Sequence, residues 1–246
     1  MKDWQGKRYW LIGASEGLGR ELAFSLSRVG AEVIVSARSE DRLKSLVEEL
    51  PGKASYEVVD VTDLAQVEEV AGRIGDIDGM VYLAGVYTPM KAGEWDNKKA
   101  DLMAQVNYLG ASRSVGAVIH PMLNRGNGHI VLVGSLSGFR GLPGAIGYSA
   151  SKAGLMVLAE SMHADLRKTD IHVQVVNPGF IKTRLTDQND FSMPFIMEPE
   201  EAAREVFEFM NTDDFKKSFP LLFSLLFRVG QFLPDSIYYR MFPLRD

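Results

Sequence analysis

The chain has 246 residues, with 27 Lys and Arg against 32 Asp and Glu, so its formal net charge is −5. Hydrophobic residues make up 46% and charged residues 24%, ordinary for a soluble globular protein, and a chain this long can bury a core without staples. Cysteine is absent, which excludes disulfides, zinc–cysteine sites, iron–sulfur clusters and a thiol nucleophile, and the acidic balance argues against a nucleic-acid binder.

Taken in order, the chain alternates strands and helices. Met1 to Tyr9 carries Lys2, Lys7 and Arg8 but no apolar run of the about 7–15 residues that a signal peptide needs. Arg8–Ile12 is a short apolar strand ending at Gly13. Arg20–Val29 has helical spacing through Leu22, Ala23, Leu26 and Val29, and stops at Gly30. Glu32–Val35 is a strand, and Asp41–Leu50 is a helix closed by Pro51-Gly52. Tyr56–Val59 is a strand and Leu64–Ile74 a helix. Met80–Leu83, Ile130–Val133 and Val173–Val176 are further apolar strands. Strands without polar alternation suit a parallel sheet covered on both faces, and the repeated order points to a doubly wound α/β fold. No repeat or linker divides the chain, so one domain over residues 1–246 is expected.

Past Pro178 the pattern loosens. Residues 181–196 read as a loop, part of a lid over about 180–210. Pro199–Met210 reads as a helix opened by a proline and two acids. Residues 215–246 form an apolar, aromatic tail divided by Pro220, Pro234 and Pro243. Its most apolar stretch, Phe219–Phe227, runs into Arg228 and falls short of the roughly 20 residues of a spanning helix. The expected location is the cytoplasm.

Five features carry chemistry. Gly13-Ala-Ser15-Glu-Gly17-Leu18-Gly19 follows a strand and opens a helix. Glycines there permit a tight turn, and the helix amino terminus offers free N–H groups to a pyrophosphate, although a ligand-free turn has the same pattern. Ser36-Ala37-Arg38 ends the second strand. An acid there would meet a free ribose 2′-OH and an Arg a 2′-phosphate, so Arg38 favours NADP(H) over NAD(H), with Glu40 or Asp41 as rival acids. Tyr148 and Lys152 are one helical turn apart, where an ammonium could lower a phenol's pKa and make it a proton donor or acceptor. Ser135 closes the strand Ile130–Val133 and could equally cap a turn. Asn107 lies in the preceding helix and could equally bond to local backbone. In an open parallel sheet these elements would meet at the carboxyl edge, where such folds bind ligands.

These residues resemble the short-chain dehydrogenase/reductase family. The matching motifs are Gly13-x-x-x-Gly17-x-Gly19, Asp60-Val61, Ala84-Gly85, Asn107-x-x-Gly110, Ser135, Tyr148-x-x-x-Lys152 and Pro178-Gly179, in the family's order. The resemblance covers about residues 7–183. It implies a Rossmann-like sheet of six or seven parallel strands with helices on both faces, and hydride transfer at a nicotinamide. It implies Tyr148 as acid/base, Ser135 on the reacting oxygen, and Lys152 on the nicotinamide ribose, lowering the Tyr148 pKa. Asn107 would hold a water linking Lys152 to solvent. Asp60 and Val61 would contact adenine, Ala84-Gly85 the ribose, and Pro178, Gly179, Ile181 and Thr183 the nicotinamide side. No metal is implied. Helix pairing across subunits, including the Tyr148 helix, would give a homodimer or homotetramer.

The chain departs from the family at Leu83, where Asn is usual, at Ile12, where Thr is usual, and in its tail. Phe215–Phe219 could be a seventh strand. The tail that follows could pack on its own domain or a partner. With Phe191, Met193, Phe195 and Ile196 it could wall a lipophilic pocket. It could also lie on a membrane surface, a reading ranked last because Arg228 is the lone charge of Leu221–Leu233. The expected activity is therefore NADP(H)-dependent interconversion of a hydroxyl and a carbonyl on a hydrophobic small molecule. The competing readings are a cofactor-holding regulatory or scaffold protein without turnover, and a membrane-surface lipid reductase.

Overall fold

The computed structural model describes residues 2–188 and 192–242. Seven parallel strands form one sheet: β1 (Arg8–Ile12), β2 (Glu32–Ala37), β3 (Ala54–Val58), β4 (Gly79–Tyr82), β5 (Gly128–Val133), β6 (Ile171–Pro178) and β7 (Lys216–Phe219). Their order is β3-β2-β1-β4-β5-β6-β7. The order reverses beside β1, which pairs with β2 on one side and β4 on the other, Trp10 lying opposite both Ile34 and Met80. That reversal opens a crevice at the carboxyl ends of the strands.

The apolar strands are buried on both faces. Trp10 and Leu11, on opposite faces of β1, are both fully buried. One face packs on α1 (Gly17–Arg28), α2 (Glu40–Glu49) and α7 (Pro199–Met210). The other packs on α3 (Leu64–Ile74), α5 (Gly110–Arg125) and α6 (Ile146–Leu166). Tail segment Lys216–Phe219 is a true strand, running beside β6 from Val175↔Lys216 to Pro178↔Phe219. Strand β1 and helices α3 and α7 have the expected bounds. Other elements differ by one to three residues. Helix α1 starts at Gly17, three residues before the apolar stripe, because its glycines form the first turn rather than precede it. Val29 caps its end and is exposed.

Two features have no apolar signature in the sequence. Helix α4 (Asn97–Ala104) continues into α5 through a π-helical turn, Gln105–Leu109, which holds Asn107. At the amino-terminal end of the sheet, Tyr9 Oη and His129 Nδ1 are 2.8 Å apart, and His129 Nε2 lies 2.8 Å from Gln174 Oε1. Gln174 Nε2 donates to the carbonyls of Phe209, Thr212 and Asp214 at 2.9–3.2 Å, tying the α7–β7 loop to the sheet.

Beyond β7 the tail folds into α8 (Leu221–Gly230) and α9 (Asp235–Met241). Arg140, five residues past Ser135, staples this hairpin to the sheet edge. It donates to the carbonyls of Gly230 at 3.1 Å and Leu233 at 2.6 Å, pairs with Asp235, and lies 4.2 Å over the Tyr238 ring.

Candidate active site

The carboxyl ends of the strands open into a cavity of about 980 Å3. Gly13, Ser15, Gly17, Leu18 and Gly19 line it from the β1–α1 turn, Arg38 from the end of β2, and Asp60 and Val61 from the end of β3. Ala84 and Gly85 follow β4, Ser135 follows β5, Tyr148 and Lys152 project from α6, and Pro178, Gly179, Ile181 and Thr183 follow β6. Of the catalytic and cofactor-binding residues expected from sequence, Asn107 alone does not line the cavity.

The glycine turn is tight for steric reasons. Gly13 has φ of +92°, and a Cβ there would stand 2.4 Å from the Ala84 backbone N. A Cβ on Gly19 would stand 2.4 Å from the Gly13 carbonyl oxygen. The first intrahelical bond of α1 runs from Arg20 N–H to the Glu16 carbonyl, and the Glu16 side chain makes no cap. The Gly17, Leu18 and Gly19 N–H groups are thus left to face the cavity as anion donors. This arrangement fits a dinucleotide pyrophosphate. Arg38 is exposed at the end of β2. Asp60 Oδ1 accepts from Thr62 N–H at 2.9 Å and Thr62 Oγ1 at 2.8 Å, which holds the β3 end as a turn.

Ser135 does two jobs. Its Oγ accepts from Ser137 N–H at 3.2 Å, capping the short turn Leu136–Gly138, and it also bonds the Tyr148 phenol. The capping reading therefore holds, and the same hydroxyl stands beside Tyr148. Tyr148 is packed edge-on against Tyr87, with ring centres 5.1 Å apart. Burial pushes its phenol up to about 12; the Ser135 hydrogen bond pulls it down and Tyr87 pushes it further up. Lys152 is buried, and its Nζ donates to the Val133 carbonyl at 2.8 Å. Burial brings the ammonium down to about 8. Its Nζ is 5.9 Å from the Tyr148 ring centre.

Asn107 lies behind this set, fully buried. Its Oδ1 accepts from Val86 N–H at 2.8 Å, and its Nδ2 donates to the Val86 carbonyl and Ser151 Oγ, each at 2.9 Å. It locks the loop after β4 onto α6. A Cβ on Gly85 would lie 3.5 Å from Asn107 Oδ1 and 3.7 Å from Lys152 Nζ, so both polar groups converge behind that loop.

The apolar wall differs from the expected one. Phe191 lies outside the described residues. Met193, Phe195 and Ile196 do not line the cavity, and Phe195 and Ile196 are exposed. Phe180, Leu185 and Leu136 line the cavity instead, joined by Phe223 and Phe227 of α8. Ring stacking reaches outward from Phe223 to Phe180 at 5.7 Å and Phe195 at 5.8 Å. Glu16, an acid in the turn that sequence reasoning set against a nearby phosphate, pairs with Arg42 of α2 and Arg184 of the loop after β6, partners that reasoning missed. These two arginines come from segments 142 residues apart in sequence, so no local pattern could have joined them.

Residues 7–192 match the family described as short chain dehydrogenase. The chain belongs to the short-chain dehydrogenases. It is 36% identical over 238 residues to an uncharacterised oxidoreductase of Myxococcus xanthus, covering 93% of each chain. It is 35% identical over 196 residues to a 3-oxoacyl-[acyl-carrier-protein] reductase of Thermotoga maritima, covering 75% of this chain and 78% of that one. Among solved structures, a short-chain dehydrogenase from Streptomyces avermitilis superposes with a TM-score of 0.86 at 25% identity, covering 98% of this chain and 96% of the other. An actinorhodin polyketide ketoreductase solved with NADPH superposes at 0.80, also at 25% identity, covering 89% and 97%. This short-chain dehydrogenase is thus an NAD(P)(H)-binding oxidoreductase of the Rossmann type.

Proposed function

We propose that the chain is an NADP(H)-dependent reductase of a carbonyl carried on an apolar chain, with the reverse oxidation of the alcohol available to it. The observation that carries the reading is the cavity itself. The Ser135–Tyr148 hydroxyl pair and the aromatic side chains of Phe180, Phe223 and Phe227 line the same cavity. Relatives named for ketoreduction and for reduction of a 3-oxoacyl group support the same chemistry.

The residues for the cofactor are the Gly17–Gly19 amides for the pyrophosphate and Arg38 for a 2′-phosphate. Asp60 and Val61 would flank the adenine, Ala84 and Gly85 the ribose, and Pro178, Gly179, Ile181 and Thr183 the nicotinamide. When bound, the nicotinamide supplies or accepts the hydride. The protein handles the proton. A phenol at about 12 is protonated at neutral pH, so Tyr148 Oη can give its proton to a carbonyl oxygen. Ser135 Oγ fixes that oxygen beside Tyr148. Lys152, still mostly an ammonium at pH 7, lies close enough to favour the phenolate left behind. Asn107 acts as a positioning residue, holding the loop after β4 against α6; its Oδ1 keeps an acceptor site for the water expected between Lys152 and solvent.

The test is Tyr148→Phe, read by NADPH consumption over a panel of alkyl ketones and 3-oxo thioesters. Loss of the proton donor should lower kcat by about 10²–10⁴ while NADPH affinity and the thermal midpoint stay near wild type. Turnover by the variant at the wild-type rate would overturn the assignment.

A further inference from the structure

The tail hairpin has two faces, and the reductase reading uses only one. Ser224, Phe227 and Gly230 of α8 turn inward, Phe227 onto the cavity and Gly230 against Tyr238. The opposite side carries Leu221, Leu222, Leu225 and Val229, and the turn after it Phe232, all exposed, with Leu222 at 73% and Phe232 at 81%. Leu222, Leu225, Val229 and Phe232 follow a 3-4-3 spacing, so they form one stripe. Ile237 and Tyr239 of α9 are also exposed. With them the hairpin leaves a run of large apolar side chains in solvent, denser than the scattered single hydrophobics of an ordinary surface.

Charge and position indicate what covers it. Between Pro220 and Phe242 the charged residues are Arg228, Asp235 and Arg240. Asp235 is neutralised by Arg140, while Arg228 and Arg240 are exposed and take part in no ion pair among the described residues. A chain of net charge −5 therefore presents a locally cationic apolar patch. An interfacial helix normally needs a basic polar face because its other side meets water. Here that side meets the protein, so the shortage of charge along α8 does not count against a lipid surface. The patch also shares a helix with the aromatic wall of the cavity, so whatever covers it lies against the side of the pocket that receives apolar chains.

We propose that the α8–α9 hairpin docks the protein on an anionic bilayer surface, with the leucine stripe among the acyl chains and Arg228 and Arg240 at the headgroups. This goes beyond the reductase reading and is measured without turnover. The test is co-sedimentation of the full chain with vesicles of phosphatidylcholine containing about a third phosphatidylglycerol, and with pure phosphatidylcholine. Binding to the mixed vesicles is expected, and it should weaken on the neutral ones. The double change Leu222→Asp, Leu225→Asp should reduce binding about tenfold or more, with circular dichroism unchanged. Arg228→Glu with Arg240→Glu supplies an independent check and should reduce binding to the anionic vesicles only. Absence of wild-type sedimentation, or equal sedimentation of either variant and wild type on the mixed vesicles, overturns the proposal. So does a wild-type dimer in size exclusion that the double aspartate variant splits, which would assign the patch to a second copy of this chain.

Discussion

Replacing Phe223 by Ala tests whether the tail belongs to the pocket. Its ring lies 5.1 Å from Phe227 and 5.7 Å from Phe180, and its Cδ1 would stand 3.1 Å from a Cβ on Gly179, beside the expected nicotinamide position. Full burial of a Phe side chain is worth about 1.5–3 kcal/mol. Phe223 is half-buried before substrate arrives, so roughly half of that, about 0.75–1.5 kcal/mol, is left for substrate to gain. The variant should then lose about three- to tenfold in kcat/KM for ketones long enough to reach α8, mainly through KM, because contact with a remote chain is made equally in ground and transition states. The assay is a homologous series of alkyl ketones with NADPH. Short members should be converted by wild type and variant at equal efficiency, and the two should diverge as the chain lengthens. A loss of equal size at every chain length would refute the reasoning, since it would mean that Phe223 supports the fold near Gly179 rather than the substrate.

Two further outcomes follow from single residues. Arg38→Ala should weaken NADPH binding about tenfold by titration and leave NADH binding unchanged, because a charge-assisted hydrogen bond contributes about 1.5–3 kcal/mol; a wild-type enzyme that binds NADH tenfold tighter than NADPH would contradict the cofactor assignment. His129 is fully buried, and burial lowers its imidazole from 6.5 to about 3. The unfolded chain takes up a proton below 6.5 and the folded one does not until about 3, so stability falls as pH drops through that window. The shift removes about 2 kcal/mol between pH 7 and pH 5. In urea unfolding at these two pH values, His129→Gln should lose about 2 kcal/mol less than wild type; identical losses would show that the Tyr9–His129–Gln174 chain does not set the acid limit.

The fold was legible where burial is two-sided. Strands such as Tyr9–Ile12 and Met80–Tyr82 are apolar without alternation because helices cover both sheet faces. The amphipathic stripe of α7, opened by Pro199, gave its bounds directly. Short β7 was marginal by pattern, since Lys216-Lys217-Ser218-Phe219 has one buried residue, and only its pairing with β6 makes it a strand. The π-helical turn at Gln105–Leu109 was invisible, because one extra residue in a helical turn leaves no compositional mark; its consequence is that Asn107 turns inward to Val86 and Ser151.

The site was legible in its members and not in its electrostatics. Each glycine, Ser135, Tyr148 and Lys152 sits at a strand end or a helix's first turns, and in a parallel sheet those positions must converge. What the pair at 148 and 152 does depends on quantities that spacing does not carry. A one-turn separation suggested that Lys152 sits against the phenol. Instead its Nζ reaches past Tyr148 to the Val133 carbonyl, and burial raises the phenol and lowers the ammonium. Burying an acid and a base together moves both toward neutrality, so with protein groups alone the pair favours the protonated phenol. That state suits donation to a carbonyl. Running the reaction as an oxidation requires the phenolate, hence extra positive charge or higher pH, and this asymmetry comes from burial rather than from the motif.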